Sequence, residues 1–504
     1  MGKPINNQDI NGRKAVVIGA GFAGLASSAY LARHGLKVTL LEKNDRPGGR
    51  AMVYKSKGYT FDMGPSWYMM LEAFENIFQL LGTSSGEHYN TIRLDPSYRV
   101  FFGPGDFVDI SDDVEKNITL FDTFEEGGGA KLQKYLDASK EKYEIAMDNF
   151  IYKDYWHFWD FLDKTLIFKG IKLRIFQNLG KYAKRYFNSE RARKIMQYHV
   201  AFVGAAPPTS PAIYSMLAHC DMNLGIWYPV GGFGSIVSAF ENIAKENGVE
   251  IKYRAEVKEI EVEDKHARKV ISSKGSHDAD LVLNTAELPH CEMNLLEDRY
   301  QSYPEKYWKK KTIAPATFLI FLGLDKKLDK LEHHNFYFNE DWDRYFDEVF
   351  GKNVKWPDDP SMYISVPSRS DESLAPPGGE TMTILVLVSP DINDDDNTRD
   401  EYYEKIMDLV EKVTGEKIRD SIVVKKVIAH DHFAGTFHAY RGTALGLANT
   451  LRQTALFRPH HKSKKVKNLY HAGQYTHPGV GVPVTLISAQ LACQKIMKDI
   501  EKEG

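Results

Sequence analysis

The chain has 504 residues, of which 43% are hydrophobic and 26% charged, and a formal net charge of -3. That length exceeds one compact core, so two or more domains are expected. The near-neutral balance excludes a general nucleic-acid binder, which would be basic. Cys220, Cys291 and Cys493 stand alone, with no Cys-x-x-Cys pair. They read as buried small hydrophobes in a reducing compartment, not as a metal or disulfide framework.

The first residues, MGKPINNQDINGR, are polar and lack the apolar core of a secretory signal. Asn6 stands where an N-myristoylation motif needs Ser or Thr. Ala15 to Ala32 carries no charge and has nearly the length of a membrane span. A strand, a tight turn and a helix explain it better. Ala15 to Ile18 is a short apolar run suited to a buried parallel strand. Gly19, Gly21 and Gly24 form G-x-G-x-x-G, giving a sharp turn, close backbone approach to a pyrophosphate, and close helix packing. A helix over about Phe22 to His34 then aims its free N–H groups and positive dipole end at phosphate. Val38 to Leu41 is the second strand. Glu42 follows it, placed to accept ribose hydroxyls and to repel a 2′-phosphate, which argues against NADP. Next come Gly48, Gly49 and Arg50, a second close backbone approach with a guanidinium able to pair with a pyrophosphate oxygen. FDMGPSW then places Gly64, Pro65 and Ser66 after a short strand.

Leu94 to Ser111 reads as a hairpin turning near Gly103-Pro104-Gly105. Tyr155 to Phe187 crowds Trp and Phe with Lys and Arg, the pattern of a basic amphipathic helix that can lie in a bilayer interface. Ser235 to Glu246 has helical periodicity, stopped by Asn247-Gly248, and VEIKYRAEVKEIEVE after it alternates as strands do. Ala279 to Leu288 reads as another parallel strand. Ala316 to Asp325 and Thr381 to Pro390 read as buried strands of a second sheet. Asp391 to Glu401 reads as a solvated acidic turn before a helix. No second G-x-G-x-x-G opens a βαβ unit, so a two-nucleotide reductase is not expected. His471 to Gln490 contains no acid, lysine or arginine. A short strand, Gly473, and a helix beginning after Pro483 suggest a backbone laid against a flat cofactor, with a helix dipole end that stabilises negative charge there.

Glu42 followed by RPGGRA and GYTFDMGPS, together with AGQYTHPGVGVPVTLISAQLA, resembles the FAD-dependent amine oxidase superfamily. Within it the chain most resembles the bacterial-type phytoene desaturases, a carotenoid desaturase family. The resemblance implies an α/β fold with a discontinuous Rossmann-type FAD-binding domain over 12–75, 225–300 and 430–504. An inserted mixed-sheet substrate domain would occupy 76–115 and 301–429, and a helical, membrane-docking subdomain 116–224. It implies FAD as cofactor, contacted along Gly19, Ala20, Gly21, Phe22, Ala23 and Gly24, and at Glu42 and Lys43. Further contacts would come at Gly49 and Arg50, and at Gly64, Pro65 and Ser66. A backbone amide near Val257 would meet the adenine. Gly473 and Gln474 would follow the ribityl chain, and Val482, Pro483 and Val484 the ring. Many superfamily members carry an acid where this chain has Gln474; an amide can make the same hydrogen bond.

The implied reaction is desaturation of phytoene, toward lycopene, by hydride transfer from an allylic C–H of a C40 polyene to flavin N5 and then proton loss. Such chemistry needs few acid–base residues, so none is assigned as catalytic and no metal is expected; Asp95, Arg99 and His219, possible channel-mouth groups, read as structural. Oxygen or a membrane quinone would take the electrons, and the protein would sit in the cytoplasm, peripherally on the inner face of the cell membrane. Related flavoenzymes, namely a hydroxycarotenoid 3,4-desaturase, an isomerase or a polyene saturase, share these motifs. So, in part, does a non-catalytic prenyl-binding protein of the same fold.

Overall fold

The computed structural model describes residues 12–153, 174, 177–454 and 457–503. In chain order the elements that build the site are β1 (Lys14–Ile18), α1 (Phe22–Arg33), β2 (Lys37–Leu41), β3 (Tyr98–Gly103), β4 (Asp106–Ile110) and α2 (Gly128–Ala146). There follow α3 (Phe233–Glu246), β5 (Glu250–Lys252), β6 (Val257–Glu263), β7 (His266–Ser272), β8 (Gly275–Asp278) and β9 (Leu281–Asn284). The chain continues through β10 (Ala316–Leu324), β11 (His334–Tyr337), β12 (Met362–Ser365), β13 (Glu380–Val388) and α4 (Asp396–Thr414). It ends with β14 (Ile422–Ile428), α5 (His430–Phe437), β15 (Leu469–His471) and α6 (Val482–Glu503).

The first sheet is parallel throughout, in the order β15-β9-β1-β2-β5. Its strands are apolar runs because helices cover one face and β6-β7-β8, an antiparallel meander, covers the other. α1, α3 and α6 pack together on that helical face, with Phe22 edge-on to Phe233 and Phe240 at 6.4 and 6.1 Å. The Ala15 to Ala32 stretch is therefore a strand and a helix in this layer. No helix among the described residues is long and apolar enough to cross a membrane.

The second sheet has seven strands, β14-β10-β13-β12-β11-β3-β4, antiparallel except where β11 meets β3. The β3–β4 hairpin turns through Gly103-Pro104-Gly105 as the sequence suggests. α4 covers one face with Tyr402, Tyr403, Ile406, Met407 and Val410. The other face packs on the strand Tyr59–Asp62 and on the helical segment that includes α2.

Three elements differ from the sequence reading. The strand expected over Ala279 to Leu288 stops at Asn284, because Thr285 turns its hydroxyl back to the carbonyls of Ile18 (2.8 Å) and Gly19 (2.9 Å). The alternating run after Gly248 splits between two sheets at Arg254, whose φ of 54° breaks the extended backbone. The acidic stretch from Asp391 is only half a turn: Asp395 caps the helix by accepting from the Thr398 amide at 2.9 Å, and Asp394 is buried against Arg399. The three cysteines are free and buried. The polar N-terminal residues through 11 and most of the basic aromatic segment Tyr155 to Phe187 lie outside the described residues.

Candidate dinucleotide and substrate site

A parallel sheet presents all its strand carboxyl ends on one edge, which is where such folds bind ligands. Here four loops meet on that edge: Gly19 to Gly24 after β1, Glu42 after β2, Thr285 to Glu287 after β9, and Ala472 to Gly481 after β15.

The first loop is held by its glycines. Gly19 has φ +96°, and a methyl on Gly24 would stand 1.8 Å from the Gly19 carbonyl oxygen. Gly21 faces Gly49 so closely that a Cβ on Gly49 would lie 3.3 Å from the Gly21 Cα. A Cβ on Gly64 would lie 2.2 Å from the Arg50 carbonyl oxygen, so the Gly64-Pro65-Ser66 turn also closes on this point. Ala20 and Ala23 are buried beside the turn, while the Phe22 ring is spent on helix packing, leaving only its backbone toward the loop. Glu42 is buried, and its carboxylate accepts from the amides of Ala20 (2.7 Å) and Asn44 (2.8 Å). Lys43 donates to the Gly435 carbonyl of α5, and burial draws its pKa down.

Arg50 and the C-terminal loop are joined by a residue that the sequence did not single out. Glu287, 3% exposed, accepts from Arg50 Nη2 at 2.5 Å, Gln474 Nε2 at 3.2 Å and Tyr475 Oη at 2.5 Å. Burial, with this carboxylate adding to it, pushes the Tyr475 phenol well above its usual range. The Arg50 Nε is buried without a hydrogen-bond partner. A spare guanidinium donor beside two backbones with no room for side chains fits a pyrophosphate. Gly473, with φ +116°, donates its amide to Ser488 Oγ at 3.0 Å, fixing the loop to α6. Val482, Pro483 and Val484 open α6 and keep partial exposure; the helix begins two residues earlier than expected, with Pro483 inside its first turn. Val257 opens β6, close to the end of β2, where the Ala255 amide bonds to the Glu42 carbonyl at 2.8 Å.

A strap crosses the Glu42 side of this edge. Asn44 Nδ2 reaches the Thr436 carbonyl at 3.3 Å, and Arg50 lies 5.4 Å from the Phe437 ring centroid. His438 stacks on His290 with centroids 4.0 Å apart and bonds Glu256 at 2.8 Å. Burial, then the neighbouring His438, lowers the His290 pKa to about 4.

Trp67, next to Ser66, enters an aromatic chamber. It stacks on His334 at 4.6 Å and lies 5.5 Å from Phe336 and 6.0 Å from Tyr363, with Phe202 beyond them. Thr383 and Leu385 belong to β13, in the middle of the second sheet, yet they keep partial exposure, as do Trp67 and Phe202. A covered central strand with accessible side chains marks an interior opening. The possible channel-mouth groups are held elsewhere. Arg99 is pinned by Asp109 at 2.7 Å and Glu332 at 3.2 Å; Asp95 accepts from Ser111 Oγ at 2.8 Å; His219 Nδ1 pairs with Asn223 at 2.7 Å. No cluster of metal ligands occurs among the described residues.

Comparison with known proteins agrees with this geometry. The model of the flavin containing amine oxidoreductase family matches residues 22–497. The carotenoid 3,4-desaturase of Haloarcula japonica is 39% identical over 494 residues, covering 98% of this chain and 99% of its own. The zeta-carotene-forming phytoene desaturase of Myxococcus xanthus is 32% identical over 500 residues, covering 98% and 95%. Among solved structures, an oxidoreductase from Methanosarcina mazei shares the fold with a TM-score of 0.65 at 16% identity, covering 95% of this chain and 99% of that one.

Proposed function

This chain belongs to the flavin containing amine oxidoreductases, among the carotenoid desaturases, and from that premise we propose that it desaturates a C40 carotenoid at the 3,4 position. The family makes it an FAD-dependent oxidoreductase of carotenoids. The end-to-end likeness to the Haloarcula japonica enzyme carries the choice of position. The desaturation of phytoene toward lycopene expected from sequence is the second reading, favoured by the Myxococcus xanthus relative.

FAD, when bound, supplies the hydride acceptor. The chain does the rest by holding and shielding. On this reading Gly19 to Gly24 and Gly49 cradle the pyrophosphate, with α1 aiming its N-terminus at it and Arg50 donating from Nε. Glu42 and Lys43 meet the adenosine ribose, and the backbone near Val257 the adenine. Gly64, Pro65 and Ser66 line the passage to the ring. Gly473 and Gln474 follow the ribityl chain, and the first amides of α6, at Val482 and Val484, face the ring beside Pro483. Trp67, Phe202, Phe336, Tyr363 and Leu385 orient an apolar polyene and keep water out. His334 stays neutral there, since burial holds its pKa well below the usual imidazole range.

The same reading assigns 12–75, 225–300 and 430–504 to FAD binding, 76–115 and 301–429 to the substrate domain, and 116–224 to a membrane-facing helical part. A membrane-dissolved substrate supports peripheral docking on a bilayer, with a quinone or oxygen taking the electrons. The test is anaerobic mixing of the FAD-loaded protein with liposomes carrying either phytoene or an already conjugated acyclic carotenoid. Loss of visible flavin absorbance with the conjugated substrate alone, and a product of longer chromophore, is the expected result. Bleaching by phytoene shifts the assignment to the second reading, and bleaching by neither overturns both.

A further inference from the structure

On the reading above, the loop from Gly473 to Gly481 lies against the redox-active end of FAD, and one buried charge bonded to that loop has no part in what has been described. Arg458 is 3% exposed. Its Nε donates to the Thr476 carbonyl at 3.1 Å. Its Nη1 donates to Asn449 Oδ1 at 2.7 Å and to the Gln453 carbonyl at 3.3 Å. Its Nη2 donates to the Gln474 carbonyl. Every acceptor is neutral: three backbone carbonyls and one side-chain amide. The titratable groups that face it favourably are the phenols of Tyr214, Tyr307 and Tyr475, uncharged at neutral pH. Glu287 reaches the same loop through Gln474 and Tyr475, but it is paired with Arg50. Burial lowers the Arg458 pKa to about 10, which still leaves the guanidinium charged near neutrality.

Hydrogen bonds to neutral oxygens satisfy the donors and leave the charge itself unbalanced. Taking an ion out of water without a counter-charge costs several kcal/mol. A loop needing only a staple would be served by a neutral amide. A net positive charge becomes useful when negative charge arrives beside it, and reduction of bound FAD by two electrons and one proton delivers one negative charge. At low effective dielectric, a fixed cation on the adjoining loop lowers the energy of that charged form. The dipole of α6, whose first turn follows the same loop, acts with the same sign.

We propose that Arg458 is a positioning residue for the Gln474–Thr476 loop whose buried charge raises the reduction potential of the bound FAD. The consequence is easier hydride acceptance from an allylic C–H. The proposal rests on the FAD reading of the site and adds to it a residue whose hydrogen bonds go to the loop behind the cofactor, not to substrate or cofactor.

The test is a potentiometric titration of the full-length, FAD-loaded protein against reference dyes, comparing wild type, Arg458→Lys and Arg458→Gln. At fixed potential, Arg458→Gln is expected to lower the reduced-to-oxidised ratio at least tenfold, or about 30 mV. Arg458→Lys, which keeps the charge and loses the fork, is expected to stay within about threefold of wild type, or roughly 14 mV. A glutamine variant within twofold of wild type overturns the proposal, as does a lysine variant that moves as far as glutamine. The wild type alone gives an independent check: its potential should fall by about 30 mV per pH unit between about pH 6 and 8, one proton per two electrons. A fall of about 59 mV per unit means that the reduced cofactor is uncharged there, and the proposal fails whatever the variants do. A wild type that holds no FAD sinks the reading of the preceding section; one that holds FAD with an unmoved potential in Arg458→Gln sinks only this proposal.

Discussion

Glu287 shares its carboxylate among three donors brought from distant parts of the chain: Arg50 is 237 residues away, Gln474 187 and Tyr475 188. Removing the charge while keeping the shape, by Glu287→Gln, leaves Arg50 half-buried without its counter-ion. Breaking a buried pair costs about 3–5 kcal/mol; the Arg50 side chain is 27% exposed, so about 2 kcal/mol is expected after allowance for solvent screening. The loss should be larger in the flavin-free protein than in the FAD-bound one, because the pyrophosphate offers Arg50 another partner. Thermal unfolding of wild type and variant, each with and without FAD, reads this directly; equal losses in both states would refute it. The residue scale also shows where sequence reading ends. Gly19, Gly21, Gly24 and Glu42 were legible because a local backbone geometry fixes their spacing. Glu287 was not, since only the pairing of β9 with β1 and β15 sets it beside Arg50 and Gln474.

At the scale of elements, α5 behaves as a clasp whose strength depends on pH. Its far end is held by the His290–His438 stack and by His438 on Glu256. Both imidazole pKa values are lowered, chiefly by burial, His290 to about 4. A depressed histidine contributes stability that is present above its unfolded pKa, about 6.5, and is lost as pH falls through the folded value. Amide hydrogen exchange over residues 430–442, corrected for its intrinsic pH dependence, should therefore rise as pH drops from about 6.5 toward 4. Unchanged protection across that window would refute the clasp. Nothing periodic in HDHFAGTF announced this helix, whereas β10 and β13 were plain in the sequence because all nine residues of β10, and the eight that follow Glu380 in β13, are apolar or small. The acidic run before α4 misled for a similar reason: Asp394 is buried by its own ion pair, which composition cannot reveal.

For the whole molecule, the turn at Gly64 that closes on Arg50 links the candidate edge to the second sheet, since Tyr59 and Phe61, on the strand before it, pack against Phe321 of β10. A ligand bound on that edge stabilises both. Saturating FAD should add about 2.7 kcal/mol at a hundredfold excess over its Kd and raise the unfolding midpoint of both sheets together. Calorimetry with and without FAD checks this, and a transition that splits on loading would contradict it. The two-sheet architecture was legible from strand spacing and the two glycine-rich ends. The chamber was not, because it arises from partial exposure of Trp67, Phe202, Thr383 and Leu385, which no local pattern encodes. The parallel sheet has a final consequence in time. Its central strands β1 and β2 leave the ribosome first, but the outer strand β15 and the helix α6 that covers α1 are made last. At roughly 5–20 residues per second, the interval is on the order of tens of seconds. Through that interval the nascent chain carries apolar strands with an open edge. On the proposed placement of FAD, flavin capture follows synthesis of the loop after β15, so a chain interrupted before Leu469 is expected to hold no flavin.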